Sequence, residues 1–357
     1  MTITVVGAGG MGGCAAAELR RAGADVMLVD RDAEHVATIR ENGLRVAGVR
    51  GEYHVDFGSV LTPDEWTGPA DLVLLAVKSQ DTDAAVQSLQ PHLHDDSTVV
   101  SLQNGWNARR IAGAIGAERT VAAMVHVVGN CEAPGRITRH TDGVVYIGEP
   151  DGTASPRTDQ LAALLRPAFP TESVGNIWGY IWSKQVYGAT MPVNALVDLP
   201  ARIVYAHDWV RGILLAVVAE AFEAATAEGI RLEPYERFDP ADFARGDCAA
   251  KLANLPSGSA KGNSGVWHDI KVRRRRTEVD FLSGELVRIG RRHGLPMTVN
   301  ARVVDLIGEL ETGARGMSWD NLHALVGPAY QYLSSNPGLA GCAPQLRRVL
   351  TRRTASR

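Results

Sequence analysis

The chain has 357 residues, 45% of them hydrophobic and 22% charged, with a formal net charge of −3. That length is comfortable for two cores, and the composition is that of a folded protein rather than a disordered one. The slightly acidic balance argues against a nucleic-acid partner, and no apolar stretch approaches the roughly 20 residues that cross a bilayer.

The opening MTITVVGAGG runs from a short apolar stretch into glycines without a basic leader. It reads as a strand rather than a signal peptide, so a cytoplasmic protein is expected. Ile3 to Val6 is β-branched throughout, as in a strand buried on both faces. A glycine turn follows, then a helix over Met11 to Ala22, a strand over Asp25 to Val29 ended by Asp30, and a helix over Ala33 to Asn42. Leu44 to Phe57 is expected to add short strands as an insertion. Alternation resumes with a strand at Asp71 to Val77, a helix at Asp81 to Leu89 and a strand at Ser97 to Leu102. This alternation predicts a mainly parallel, doubly wound α/β sheet. Strands at Thr120 to Val128, Gly135 to His140 and Gly143 to Gly148, set off by Pro134-Gly135 and Asp142-Gly143, predict an antiparallel-type edge closing the first domain. Ser155 to Leu165 reads as a helix and Glu172 to Asn176 as a last strand.

Beyond Ile177 the pattern turns helical. Trp209 to Glu228 is a long apolar helix, Thr277 to His293 an amphipathic helix stopped by Gly294 and Pro296, and Val299 to Leu310 another. Leu255 to Ser264 reads as an exposed loop. The expected organisation is a dinucleotide-binding domain over residues 1–176, a helical domain over 177–340 and a basic tail over 341–357. The runs Lys271 to Arg276 and Arg347 to Arg357 read as solvated charge. Cys14, Cys131, Cys248 and Cys342 show no CxxC spacing, so four reduced thiols and no metal site are expected.

Gly7-Ala8-Gly9-Gly10-Met11-Gly12 matches GxGxxG between a strand and a helix, with an acidic residue closing the next strand. In that context Gly7 serves the tight turn, Gly9 the backbone approach to a pyrophosphate and Gly12 the helix–strand packing, while the helix N-terminus attracts phosphate. Asp30 favours NAD(H) by accepting from a ribose 2′-OH, and the adjacent Arg31 favours NADP(H). The two together leave the nucleotide open, and Asp30 could equally cap the following helix. Lys78-Ser79-Gln80 and Gln103-Asn104-Gly105 follow two further strands, at the sheet end where α/β proteins bind ligands.

The ordered set GAGGMG, AVKSQDT, LQNG, Trp182-Ser183-Lys184 and RTEVDFLSGE (Arg276 to Glu285) resembles the ketopantoate reductases, over about residues 1–312. The resemblance implies a Rossmann-type N-terminal domain, a helical C-terminal domain, and hydride transfer from NAD(P)H to a small 2-oxo acid in a cleft. It implies Lys184 as catalytic lysine and Glu278 as active-site glutamate. Asn104 and Lys78 are implied beside the cofactor and substrate, and Gln80, from its place at the same strand end, is a further cofactor candidate. It also implies a homodimer. The chemistry is consistent, because hydride addition to a ketone puts negative charge on oxygen and an ammonium can meet it with a proton. Taken without the resemblance, Lys184 reads as a snorkelling lysine and Glu278 as an acid at a helix start.

Two departures stand out. The family keeps asparagines four and eight positions after the lysine, where this chain has Gly188 and Pro192. Asn194 is nearby, and Pro192 should break the helix. The family's substrate serine falls near Ser264, with Gly265 at the nominal position, and Trp267 or His268 could line a differently shaped pocket. His268 and His126 read either as acid/base groups or as ordinary surface histidines. The substrate-binding candidates are thus Asn104, Asn194, Ser264 and Trp267. Two other functions remain open: a family member reducing a different carbonyl or imine, and a non-catalytic NAD(P)-binding sensor.

Overall fold

The structure, a computed structural model, describes residues 2–236, 238–244, 248–253, 255 and 262–354. Most of the predicted loop at 255–264 therefore lies outside the described residues. The chain divides into two compact units, Met1–Ile181 and Trp182–Arg357.

The first unit begins β1 (Ile3–Val6), α1 (Gly10–Arg21), β2 (Val26–Val29) and α2 (Ala33–Asn42). Three short strands follow: β3 (Leu44–Gly48), β4 (Tyr53–Val55) and β5 (Ser59–Leu61). Next come β6 (Leu72–Leu75), α3 (Thr82–Leu89), β7 (Thr98–Ser101), α4 (Asn107–Ile115) and β8 (Thr120–Val125). The unit ends with β9 (Gly129–Ala133), β10 (Arg136–Arg139), β11 (Val145–Gly148), α5 (Pro156–Leu165) and β12 (Thr171–Ser173). Helix α6 (Ile177–Gly188) crosses the boundary.

Eight strands form the main sheet in the order β12-β11-β8-β7-β6-β1-β2-β5. All neighbours are parallel except β11 against β8. The central strands β1 and β6 are buried along their whole length, which is why they read as unbroken apolar runs.

The expected antiparallel edge is only half right. β11 does join the sheet antiparallel to β8, with β12 beyond it at the edge, but β9 and β10 leave it and join β3 and β4 in a separate four-stranded sheet, ordered β4-β3-β10-β9. The reason lies in α1. Its residues from Gly12 to Leu19 are all buried, so it is apolar around its circumference and needs a layer on each side. The main sheet covers one side, and the small sheet covers the other.

That outer contact carries a charged cluster. Glu18 of α1 accepts from Tyr53 Oη at 2.7 Å and from Arg21 at 3.1 Å. Arg139, 1% exposed, bonds Asp142 and donates to the Ala168 carbonyl at 2.9 Å. Cys14, buried beside this cluster, has its thiol pushed up to about 11 by burial.

The second unit holds α7 (Met191–Ala195), α8 (Ala201–Val204), α9 (Asp208–Ala227), α10 (Pro240–Ala244), α11 (Cys248–Ala253) and α12 (Gly265–Lys271). A π-helical turn at Asp280–Gly284 leads into α13 (Glu285–Arg292), then α14 (Thr298–Glu311), α15 (Trp319–Ser335) and α16 (Pro344–Thr354). Helix α9 is the axis against which α13, α14, α15 and α16 pack. The expected basic tail is largely α16, and it docks through the fully buried Leu346, which lies against Gly212 of α9.

Two further expectations are revised. The helix expected from Thr277 opens with the π turn, where the Gly284 N–H reaches back to the Val279 carbonyl at 2.9 Å, a bond length in sequence that apolar spacing does not report. Cys342 is disulfide-bonded, against four reduced thiols, because the fold brings together what sequence spacing keeps apart. Pro192 interrupts the helix as expected: α6 stops at Gly188 and Pro192 sits in the first turn of α7, where its missing N–H costs nothing.

Replacing Arg139 by methionine strands the Ala168 carbonyl and weakens the cluster. We expect a loss of about 3 kcal/mol in a urea titration. Replacing the exposed Arg21 by alanine should cost less than about 1 kcal/mol.

Candidate active site

The glycine loop lies between β1 and α1, and its glycines do different jobs. Gly7 has φ +95°, and a Cβ there would stand 2.9 Å from the Val77 nitrogen. A Cβ on Gly12 would stand 1.9 Å from the Gly7 carbonyl oxygen, and one on Gly10 would meet the backbone of Gly129 in β9 at 2.3 Å. These three allow backbone to pack on backbone. Met11 packs partly buried against the core behind them. Gly9 is different. Its φ of −68° and ψ of −163° suit any residue, and a Cβ there meets nothing within 4 Å. Among the described residues nothing requires glycine at 9; the space beside it lies at the N-terminus of α1, where a pyrophosphate would need close backbone approach.

The loop is held from two sides. Asp30, at the end of β2, accepts the Ala8 N–H at 2.6 Å through one oxygen and the Asp32 N–H at 2.9 Å through the other. It is Asp32, not Asp30, that caps α2, accepting from Glu34 and His35. His35 is buried, and its Nδ1 accepts the Gly135 N–H at 3.0 Å. That leaves Nε2 to donate to the Ala8 carbonyl, 3.0 Å away. Both backbone polar atoms of Ala8 are thus gripped. Arg31 is swung onto Asp81 at 2.7 Å, with its side chain 73% exposed.

Lys78 and Gln80 follow β6, which pairs with β1, and Asn104 follows β7, the next strand out. Their loops are tied together. Gln103 donates to the Val77 carbonyl at 3.0 Å and to Thr82 Oγ1 at 2.8 Å. Asn107 donates to Ser79 Oγ at 2.8 Å and to the Asn104 carbonyl at 2.7 Å, and Arg110 donates to the Ser79 carbonyl at 2.9 Å. Lys78 is exposed, Gln80 and Asn104 half-buried. The glycine loop, Asp30, Lys78, Gln80 and Asn104 all stand at the carboxyl ends of adjacent strands, where a doubly wound sheet binds its ligand. His126, half-buried after β8, belongs to the same unit.

In the second unit Lys184 is half-buried on α6. Trp182 and Ser183 beside it are fully buried, and Ser183 Oγ accepts the Glu233 N–H at 3.1 Å, which fixes the helix. Tyr187 and Gly188, also half-buried, share the face of Lys184 at i+3 and i+4. A Cβ on Gly188 meets nothing within 4 Å. Glu278 is half-buried just ahead of the π turn, and its carbonyl accepts the Phe281 and Leu282 N–H groups, each at 3.0 Å. π turns concentrate at functional sites.

Asn194 and Ser264 are brought together, but for structure. Asn194 is fully buried; its Oδ1 accepts the Ser264 N–H at 2.8 Å and its Nδ2 donates to the Leu199 carbonyl at 3.2 Å. Ser264 caps α12 by accepting the Trp267 N–H at 3.2 Å. Asn194 therefore does not stand in for the missing asparagines. Trp267 is half-buried, stacked edge-on to His268 at 5.0 Å, with its indole N–H unpaired. Among the described residues no cluster of His, Cys, Asp or Glu could hold a metal ion, and no helix is long and apolar enough to cross a membrane.

A dinucleotide loop on a doubly wound sheet, followed by a helical unit bearing a half-buried lysine and glutamate, defines a two-unit dehydrogenase architecture. The family model of ketopantoate reductase PanE/ApbA matches residues 3–152, and that of its C-terminal domain matches residues 176–311. The chain belongs to the ketopantoate reductase family, and it is an NAD(P)H-dependent oxidoreductase with the ketoacid-reducing chemistry of that family. The 2-dehydropantoate 2-reductase of Archaeoglobus fulgidus is 28% identical over 313 residues, covering 87% of this chain and 98% of its own. The crystal structure of a PanE/ApbA family ketopantoate reductase from Ralstonia eutropha superposes with a TM-score of 0.74 at 29% identity, covering 88% and 99%. A D-mandelate dehydrogenase, solved with NADH and anilino(oxo)acetate, shares the fold at a TM-score of 0.77 and 23% identity, covering 88% and 99%.

Gly9 and Gly12 separate ligand approach from folding. Gly9→Ala should leave the melting temperature within about 2 °C of wild type while weakening NAD(P)H binding at least tenfold, read by fluorescence titration. Gly12→Ala, driven into the Gly7 carbonyl, should lower the melting temperature itself.

Proposed function

We propose that the protein reduces a 2-oxo acid to the 2-hydroxy acid with Lys184 as general acid and Glu278 as its partner. The supporting observation is the coincidence, in the segment matched by the family model, of a half-buried lysine on a fixed helix face and a half-buried glutamate at a π turn. A bound reduced nicotinamide supplies the hydride to the carbonyl carbon. The carbonyl oxygen takes the negative charge, and the Lys184 ammonium donates a hydrogen bond and then the proton that completes the hydroxyl. Glu278 orients the ammonium or accepts from a substrate hydroxyl. Gly7, Gly9, Gly10, Met11 and Gly12 form the phosphate loop, with Gln80 bordering it, and Asn104 and Lys78 position nicotinamide and substrate. A homodimer in the cytoplasm belongs to the same proposal.

We further propose NADH as the preferred nucleotide. The Asp30 carboxylate is locked by two backbone N–H groups where a ribose 2′-OH would sit, and it repels a 2′-phosphate. Arg31 offers only a side chain shared with Asp81, an exposed pair worth about 1 kcal/mol or less. A kcat/KM for NADH at least tenfold above that for NADPH is expected; the reverse ratio would assign the site to Arg31.

A second reading of the acceptor is favoured by Gly188 and the buried Asn194. Where the family resemblance implies amides, this chain has open space and a proline, which suits a 2-oxo acid lacking a hydroxyl on its side chain. Ketopantoate should therefore be turned over no faster than hydroxyl-free 2-oxo acids of similar size, aliphatic and aromatic. A strong preference for ketopantoate would show the amides to be dispensable. Lys184→Ala should cut kcat by at least a thousandfold with NAD(P)H binding intact, and full retained activity would remove Lys184 from the mechanism.

A further inference from the structure

Glu311 ends α14, and its position is electrostatically unfavourable. A carboxylate in the last turn of a helix faces the negative end of the dipole, so another interaction must hold it there. That interaction is with Thr277. Oε1 of Glu311 accepts the Thr277 N–H at 2.8 Å and the Thr277 hydroxyl at 2.5 Å. Thr277 is 1% exposed, and its Oγ1 in turn accepts the Val279 N–H at 3.1 Å. One oxygen of Glu311 thereby fixes the backbone on both sides of Glu278, immediately before the chain enters the π turn. Among the described residues Glu311 makes no ion pair, and its contact with Thr277 joins segments 34 residues apart in sequence.

We propose that Glu311, acting through Thr277, is the positioning residue for Glu278: it sets where the Glu278 carboxylate points, without touching substrate or cofactor. The inference rests on the assignment of Glu278 made above. It has a simple chemical signature. Both bonds converge on a single acceptor oxygen, so the amide oxygen of glutamine can replace it, whereas alanine cannot and aspartate is too short.

The test is a double-mutant cycle on the full-length protein, reading kcat and KM for a 2-oxo acid together with the Kd for NAD(P)H. Glu311→Ala is expected to lower kcat at least tenfold with the cofactor Kd unchanged. Glu311→Gln should stay within about threefold of wild type. In a Glu278→Gln background, Glu311→Ala should cost nothing further, because the group it positions is already gone. Equal losses in both backgrounds, or a Glu311→Gln as impaired as Glu311→Ala, would reduce Glu311 to a structural tie and overturn the proposal. Should Glu311→Ala not fold, Thr277→Val removes the hydroxyl link alone; a threefold or greater fall in kcat is expected, and wild-type kcat overturns the proposal. Full activity in Glu278→Gln alone would instead strike down the assignment of Glu278, a failure distinguishable from the loss of Glu278→Gln with an unaffected Glu311→Ala.

Discussion

The backbone of Ala8 is the point on which the glycine loop of this protein depends. Its N–H is held by Asp30 and its carbonyl by His35, so the loop cannot relax into a looser turn. Each holder is itself fixed. Asp30 is anchored by the Asp32 N–H, and His35 has its tautomer set by the Gly135 N–H in the turn between β9 and β10. The second sheet is therefore more than a cover for α1. It supplies the donor that orients His35, and through Gly129 it presses backbone to backbone on Gly10. A phosphate-binding loop works by presenting preorganised N–H groups, and here the preorganisation is delivered by an insertion that the simplest doubly wound sheet lacks.

A comparable chain of constraint runs through the helical unit. Glu220, buried in α9, accepts the Val299 and Asn300 N–H groups at 2.9 and 2.8 Å and so caps the start of α14. Burial pushes its carboxyl above the usual range, and those backbone donors pull it back. At its far end α14 presents Glu311 to Thr277. The helix acts as a rod: one end is tied to the axis of the unit, the other to the segment carrying Glu278. Lys184 is fixed separately, by the burial of Trp182 and Ser183 on α6. Lysine and glutamate thus owe their positions to different supports.

Of the departures from the family pattern, Gly188 lies on the α6 face of Lys184 and Pro192 lies beyond the end of that helix. Gly188 removes a side chain and leaves open space, and Pro192 begins a new helix. Asn194, the nearest amide, is consumed in joining α7 to α12 through Ser264. Under the proposed assignment, Lys184 and Glu278 are kept while the amides beside the acceptor are not, so chemistry and specificity would rest on different residues.

The sequence by itself determined the alternating α/β order, the glycine loop, the switch to helices after Ile177 and the break at Pro192. Each of these is a local signal: a β-branched run, a glycine at fixed spacing, a ring that lacks an N–H. It also determined the family, because the motif order survives in one dimension. The tertiary structure decided what depends on partners distant in the chain. It took β10 away from the main sheet and paired it in parallel with β3, since α1 is apolar on every side. It gave helix capping to Asp32 and left Asp30 to the glycine loop, turned the start of the Thr277 helix into a π turn, and assigned Asn194 to a buried joint. His35 and Glu311 carry no signature in sequence. Their importance comes from hydrogen bonds to residues 100 and 34 positions away, and only the folded chain brings those donors within reach.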